Sequence, residues 1–369
     1  MYSRRVSASS LTKPTHRGSF KWKMLLFCFL ILGFGSECIC GEPISIAERP
    51  ILDVFFLPTG DGWLVVSDRT REFLLRTRDS GKTWLEIPLK VPIERVYFVD
   101  NRQGWAVAHT EEKFSLLRTT DGGATWKESG PIPQLPNKSS ILTSLFFNKS
   151  NRGWIVGYQV RALSLVLEVD VSTGKVKRVP ALSGKDGLSE AIFGDPKSGD
   201  MWIVGRDSIL YSPNSGELWR RQIDRNGLPE ATSFDGGQAL GNGAAFVVAA
   251  GVGGAIYRTM DHGKHWNVVT RSEESHWFTA VTFWDEGHGC AVGATTLLFC
   301  TNDGGNTWVS KNVLPKAKEN MVFMDNIFTT IVFVTGGSRG WVLASGGFLY
   351  QTDDGGNSWH QFDPITPTK

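Results

Sequence analysis

Five aspartates in this 369-residue chain recur in one setting. Asp79, Asp121, Asp261, Asp303 and Asp354 each lie two residues after a threonine and two before a glycine, with a tryptophan five residues on. Carboxylates repeated in this way could act as general acids or bases, or as hard oxygen ligands for a cation. Acid–base chemistry needs one acid or a matched pair in a cleft, so five copies imply repeated architecture instead. An aspartate opening a tight turn accepts hydrogen bonds from backbone N–H groups further on, and the following glycine takes a positive φ that other residues resist. The threonine hydroxyls satisfy further local groups, and the indole folds over the turn. The five acids therefore read as structural turn residues. A sixth, weaker copy, "YSPNSGELWRRQ", has Asn214 in place of the acid.

Seven elements of one kind must carry these turns. The box tryptophans Trp84, Trp126, Trp219, Trp266, Trp308 and Trp359 follow one another at 42, 93, 47, 42 and 51 residues. The long interval is about two periods, and "GWIVGYQVRALSLVLEVDVSTGKVKRV" fills it with an eroded copy. Upstream of each box lies a short β-branched or aromatic run such as "GWLVV", "GWAVA" or "MWIVG". Apolar runs before it and after the box complete four strands per repeat. Helical periodicity is nearly absent after residue 45. The fold class is all-β, a seven-bladed propeller of four-stranded antiparallel blades over residues 46–365.

The Thr-x-Asp-x-Gly-x-Thr-Trp pattern resembles the Asp-box, or bacterial neuraminidase repeat. Its coupling in "GWAVA…LLRTTDGGATW" is similar to the photosystem II stability and assembly factor family, over roughly Ile51 to Phe362. That resemblance implies a non-enzymatic scaffold that binds an assembling membrane protein, partly through an arginine-rich surface. The eroded third box and a cysteine pair in the sixth blade depart from the pattern.

Residues 24–35, "MLLFCFLILGFG", form an apolar run of 12 after a segment with six Lys/Arg and no acid. This is too short to span a bilayer and reads as a signal-peptide core, giving residues 1–40 as an export signal. The expected location is periplasmic or extracellular. Residues 1–23 also fit an organelle transit peptide, and Cys38 a lipid anchor, which keeps a thylakoid lumen or lipid-anchored location open. The formal net charge of +2 excludes a polyanion binder, so no nucleic acid is expected. A monomer with peripheral membrane association is the expected state.

Of five cysteines, Cys28, Cys38 and Cys40 lie in or beside the signal. Cys290 and Cys300 occupy the positions that Trp105 and Arg118 hold in the second blade. A hairpin centred on Thr295 sets the two cysteines opposite each other, predicting a disulfide; two buried thiols are the alternative. The matched Trp–Arg pairs, with Phe246 and Arg258 in the fifth blade, read as stacked scaffold pairs.

Loops between second and third strands and between blades carry Arg161, Arg206 and Arg225. With Arg220 and Arg221 these form a candidate basic partner-binding sector in blades three and four, or else a scatter of solvated arginines. Trp277 is a candidate stacking residue, or packs between blades. The competing reading is a carbohydrate-active propeller, either a sialidase-like or other glycoside hydrolase or a glycan binder. For that, Glu230, Glu273 and Glu274 form the loop cluster to test. No Cys/His spacing suggests zinc and no phosphate loop is present, so no metal or cofactor is expected.

Overall fold

The computed structural model describes residues 50–362 except 68–71, 111–112, 133–139, 149–151, 160–162, 180–181, 183–188, 224–232, 251–253, 273–276, 295–296 and 312–326. All of these lie within the unit Pro43–Lys369. The signal segment, Arg161, Arg225, Glu230, Glu273 and Glu274 fall outside the described residues.

Seven antiparallel sheets, each of four consecutive strands, form the seven-bladed propeller expected from the repeats. Blades 1 to 7 begin at Ile51, Ile93, Ser140, Ser189, Ser233, Phe278 and Phe328 and end at Pro88, Pro131, Arg178, Ile223, Arg271, Ser310 and Gln361. The first strands surround a channel of about 620 Å³ lined by Asp53, Arg95, Tyr97, Ser144 and Thr330 among others. Second strands such as Gly104–His109 are buried on both faces between neighbouring blades, which is why they read as unbroken apolar runs. Outer strands such as Leu85–Pro88 are mostly exposed.

The Gly-Trp signature has a steric cause. A Cβ on Gly104 would lie 2.4 Å from the Phe98 ring of the adjacent first strand, so only glycine fits beneath that ring. In every first strand the register slips near its start, a bulge that turns the strand about the axis, and in blade 5 it slips again between Ala239 and Gly241.

The boxes are closed hydrogen-bond units. Asp121 Oδ1 accepts from Thr119 Oγ1 at 2.8 Å and from the Thr125 N–H at 2.9 Å, while Oδ2 accepts from Thr125 Oγ1 at 2.6 Å. Thr119 Oγ1 in turn accepts from the Gly123 N–H. The residue after each box acid, or after Asn214 in the weaker copy, has a positive φ. Its N–H donates to the turn between the first and second strands of the same blade, as in Ser80 to Gly60, Gly122 to Arg102, His262 to Gly243 and Gly304 to Gly287. Both turns therefore share one rim, the box rim; the second-to-third hairpins and inter-blade connections share the other. In blade 3 residues 171–174 replace the box with a tighter turn, closed by the Gly174 N–H donating to the Asp170 carbonyl at 2.8 Å.

Blades are joined by side chains. Trp63 of blade 1 stacks on Phe98 of blade 2 with centroids 3.6 Å apart, and Arg76 donates to the carbonyls of Asp121 and Asn101. Arg76, Arg118 and Arg258 lie 5.6, 5.9 and 6.0 Å from the rings of Trp63, Trp105 and Phe246, as their paired positions predicted. Among the described residues no strand is exchanged at ring closure. Instead Trp341 stacks on Phe56 at 4.0 Å, Arg339 Nη1 donates to the Ser80 carbonyl, and the Ile51 N–H donates to Gly347.

In blade 6 Cys290 pairs with Cys300 across the hairpin as a disulfide, with Cα atoms 4.1 Å apart. The seam to blade 7 then lacks an indole from the second strand of blade 6. Trp359 compensates: it is 7% exposed, whereas Trp84, Trp126, Trp219, Trp266 and Trp308 are half-buried.

Candidate functional site

On the box rim between blades 4 and 5 lies a groove of about 630 Å³, lined by Ser198, Asp200, Tyr211, Arg220, Arg221, Gln222, His262 and Lys264 among others. The turn before the second strand of blade 4 buries Asp200 to 3% exposure. Its carboxylate accepts from Tyr211 Oη at 2.5 Å and Ser198 Oγ at 3.0 Å and lies 3.1 Å from His262 Nδ1. Burial, and then the bond to Asp200, push the Tyr211 phenol up.

His262 stands where three other boxes have glycine and two have serine, at a φ of 62°. Gln222 ties the outer strand of blade 4 to this box, donating to the His262 carbonyl and accepting from Trp266 Nε1 at 3.2 Å. The network fixes the groove floor, and Arg220, Arg221 and Lys264 give its wall three cations.

The arginines do not form one sector. Arg220 and Arg221 open the outer strand of blade 4 opposite Tyr211 and Leu210, toward the box rim. Arg206 sits on the second-to-third hairpin at the other rim, bridged to Ser233. At about 3.3 Å per strand residue, this separates Arg206 from Arg220 by roughly 15 Å. The sequence grouping failed because residues of one blade alternate between rims as the chain reverses. Trp277 precedes the first strand of blade 6, half-buried, and its carbonyl accepts from the Ala294 N–H at 2.9 Å.

Near Arg206 the first strands of blades 4 and 5 bring Glu190 and Asp235 into electrostatic contact. Burial and the Glu190 charge push Asp235 up to about 7. Burial also raises Glu190, against the opposing charge of Arg206.

Sequence reasoning missed Asp200, His262, Lys264, Glu190 and Asp235. The out-of-pattern imidazole in "TMDHGKHW" was the available signal for the groove. An acid at the bulge position, where blades 1, 3, 6 and 7 have Leu52, Thr143, Thr279 and Thr329, was the signal for the pair. Among the described residues no cluster of three or more His, Cys, Asp or Glu is placed to hold a metal ion.

The family model described as Photosynthesis system II assembly factor YCF48 matches residues 134–275 and 269–366. A rice (Oryza sativa subsp. japonica) chloroplastic photosystem II stability/assembly factor, HCF136, is 29% identical over 77 residues, covering 21% of this chain and 17% of that protein. The photosystem II assembly lipoprotein Ycf48 of Synechococcus sp. (strain CC9902) is 32% identical over 79 residues, 21% of this chain and 22% of that protein. The alignments thus span about a fifth of each curated relative. Among solved structures, YCF48 bound to D1 peptide superposes with a TM-score of 0.58 at 20% identity, covering 82% of this chain and 93% of that one. A GH74 xyloglucanase from Xanthomonas campestris gives 0.62 at 13% identity, over 84% of this chain and 54% of that one. Structural likeness at these identities shows the shared propeller alone. The family model, in contrast, covers more than half of the sequence, and on that ground this chain belongs to the YCF48 family of photosystem II assembly factors.

Proposed function

We propose that this propeller is a non-enzymatic scaffold that holds a segment of an assembling membrane protein, at or near a membrane, in the groove between blades 4 and 5. Family membership carries this reading, and the solved relative that holds a D1 peptide supports it. The rigid floor of Asp200, Tyr211 and His262 positions Arg220, Arg221 and Lys264 for carboxylate groups of an extended, acidic segment. Arg206 and Trp277 would contribute a separate contact on the opposite rim, and Arg161 and Arg225 are further candidates for partner binding. Residues 1–40 act as an export signal and residues 46–365 as the propeller, which works as a monomer outside the cytoplasm.

The test is fluorescence anisotropy with a labelled acidic peptide from a membrane protein, beginning with the D1 peptide. Changing Arg220 and Arg221 to Glu weakens binding at least about tenfold, equal to about 1.4 kcal/mol. Arg206→Glu has less effect. Equal affinity of the Arg220/Arg221 variant and the wild type would reject the groove.

One observation favours a second reading. Glu190 and Asp235, two interacting acids on the first strands of blades 4 and 5 whose carboxyls burial raises, suit a carbohydrate-active propeller. Sugar release from a polysaccharide panel, lost in Asp235→Asn, would support it; no release by the wild type removes it.

A further inference from the structure

At the seams before blades 1 and 2, the box tryptophan covers the outer strand of the preceding blade. Trp126 of blade 2 packs in one cluster with Ile87, from the outer strand of blade 1. Trp84 of blade 1 lies 5.9 Å, ring to ring, from Phe362 at the end of blade 7. Blade 3 breaks this rule. Its third and fourth strands are joined by residues 171–174 alone, where blade 2 uses residues 120–126, and the shortened turn has no tryptophan.

The consequence is a groove of about 810 Å³ around the shortened turn, lined on one side by Ser129, Gly130 and Pro131 and on the other by Gly174, Lys175 and Val176. Val171 of the shortened turn is buried in one cluster with Trp105 and Ile132. The floor is bare backbone: a Cβ on Gly174 would lie 2.3 Å from the Ser129 carbonyl oxygen. Pro131 and Val176 give this otherwise polar groove its apolar faces, against which an aromatic ring can lie.

We propose that this groove is a docking site for an aromatic side chain, tryptophan above all, presented by a protein partner and taking the place of the missing box indole. Its acids are already answered within blade 3. Glu168 pairs with Lys177 at 3.1 Å, and Asp170 Oδ1 accepts from Ser172 and Thr173. The ligand therefore needs no cation, and Lys175 at the groove's edge favours the electron-rich ring face. The site lies in different blades from the proposed arginine groove and does not depend on it.

The experiment titrates the ¹⁵N-labelled propeller with Ac-Gly-Trp-Gly-NH₂ and, separately, with Ac-Gly-Leu-Gly-NH₂. The expected result is saturable amide shifts at Ser129, Gly130, Lys175 and Val176 for the tryptophan peptide, with a dissociation constant of about 1 mM. The leucine peptide binds at least about fivefold more weakly, the factor that 1 kcal/mol of aromatic contact gives. Ser129→Trp fills the groove and removes the shifts, and Pro131→Ser, on an exposed edge, weakens them. Equal response to both peptides, shifts elsewhere on the ring, or binding undiminished in both variants would overturn the assignment.

Discussion

The indole of Trp63 in blade 1 donates from Nε1 to the carbonyl of Gly122 in the box of blade 2, at 2.9 Å across a buried seam. The box is thus a socket for the preceding blade as well as a turn. A Cβ on Gly81 or Gly216 would strike Trp341 or Trp154 at 2.4 or 2.1 Å, so the close packing, without the indole hydrogen bond, recurs from blade 7 to blade 1 and from blade 3 to blade 4. Trp63→Phe should cost about 1–2 kcal/mol, because the buried Gly122 carbonyl loses its donor. Trp63→Ala should cost about 3–5 kcal/mol by leaving a cavity beside Phe98. Urea unfolding of both variants checks the order; no loss in Trp63→Phe would mean that the hydrogen bond contributes nothing.

Box carboxylates should set the acid limit of the fold. For Asp303 and Asp354 the hydroxyl bonds of Thr307 and Ser358, and for Asp261 the backbone bond of His265, hold the carboxyls down to about 2. A folded-state value below the unfolded one near 3.9 means that the unfolded chain binds protons first as pH falls. The stabilisation is present above about pH 4 and is lost between about pH 4 and pH 2. Asp303→Asn should lower the melting temperature at pH 7 and leave it closer to wild type at pH 2.5. A constant difference between the two conditions would contradict the linkage.

Asp235 has the opposite sign. Its carboxyl is raised to about 7, so the folded state holds a proton that the unfolded chain releases, and stability falls as pH rises from about 4 to 7. Asp235→Asn should therefore melt a few degrees above wild type at pH 8, corresponding to about 2 kcal/mol, and close to it at pH 4. Thermal melts at both pH values decide this. A variant less stable at pH 8 would mean that ionised Asp235 is satisfied in the fold.

The blade count, box roles and strand register were legible because each rests on local chemistry repeated along the chain. Matched offsets from the Gly-Trp run to the box threonine were enough to place Trp105 opposite Arg118 and Cys290 opposite Cys300. What was not legible depends on neighbouring blades. Asp200 and His262 are 62 residues apart and meet only because blade 5 sets its box against the first turn of blade 4. Arg206 and Arg220 are close in sequence yet lie toward opposite rims. The burial of Trp359 depends on what blade 6 lacks, which no reading of blade 7 alone could supply.

The Cys290–Cys300 bond closes a separation of 10 residues within one hairpin, so its effect falls on blade 6 and not on the ring as a whole. Loop-closure entropy for a link of this length gives about 2–3 kcal/mol. Both sulfurs belong to the cluster that includes Phe333 and Trp359 of blade 7, so losing the link also loosens that seam. The double variant Cys290→Ala/Cys300→Ala should melt several degrees lower. Amide exchange should accelerate in Gly289–Thr301 and around Trp359, while the seam between blades 1 and 2, held by Trp63 and Arg76, keeps its protection. Uniform loss of protection around the ring would show that the blades unfold as one unit and that the disulfide acts on all of them.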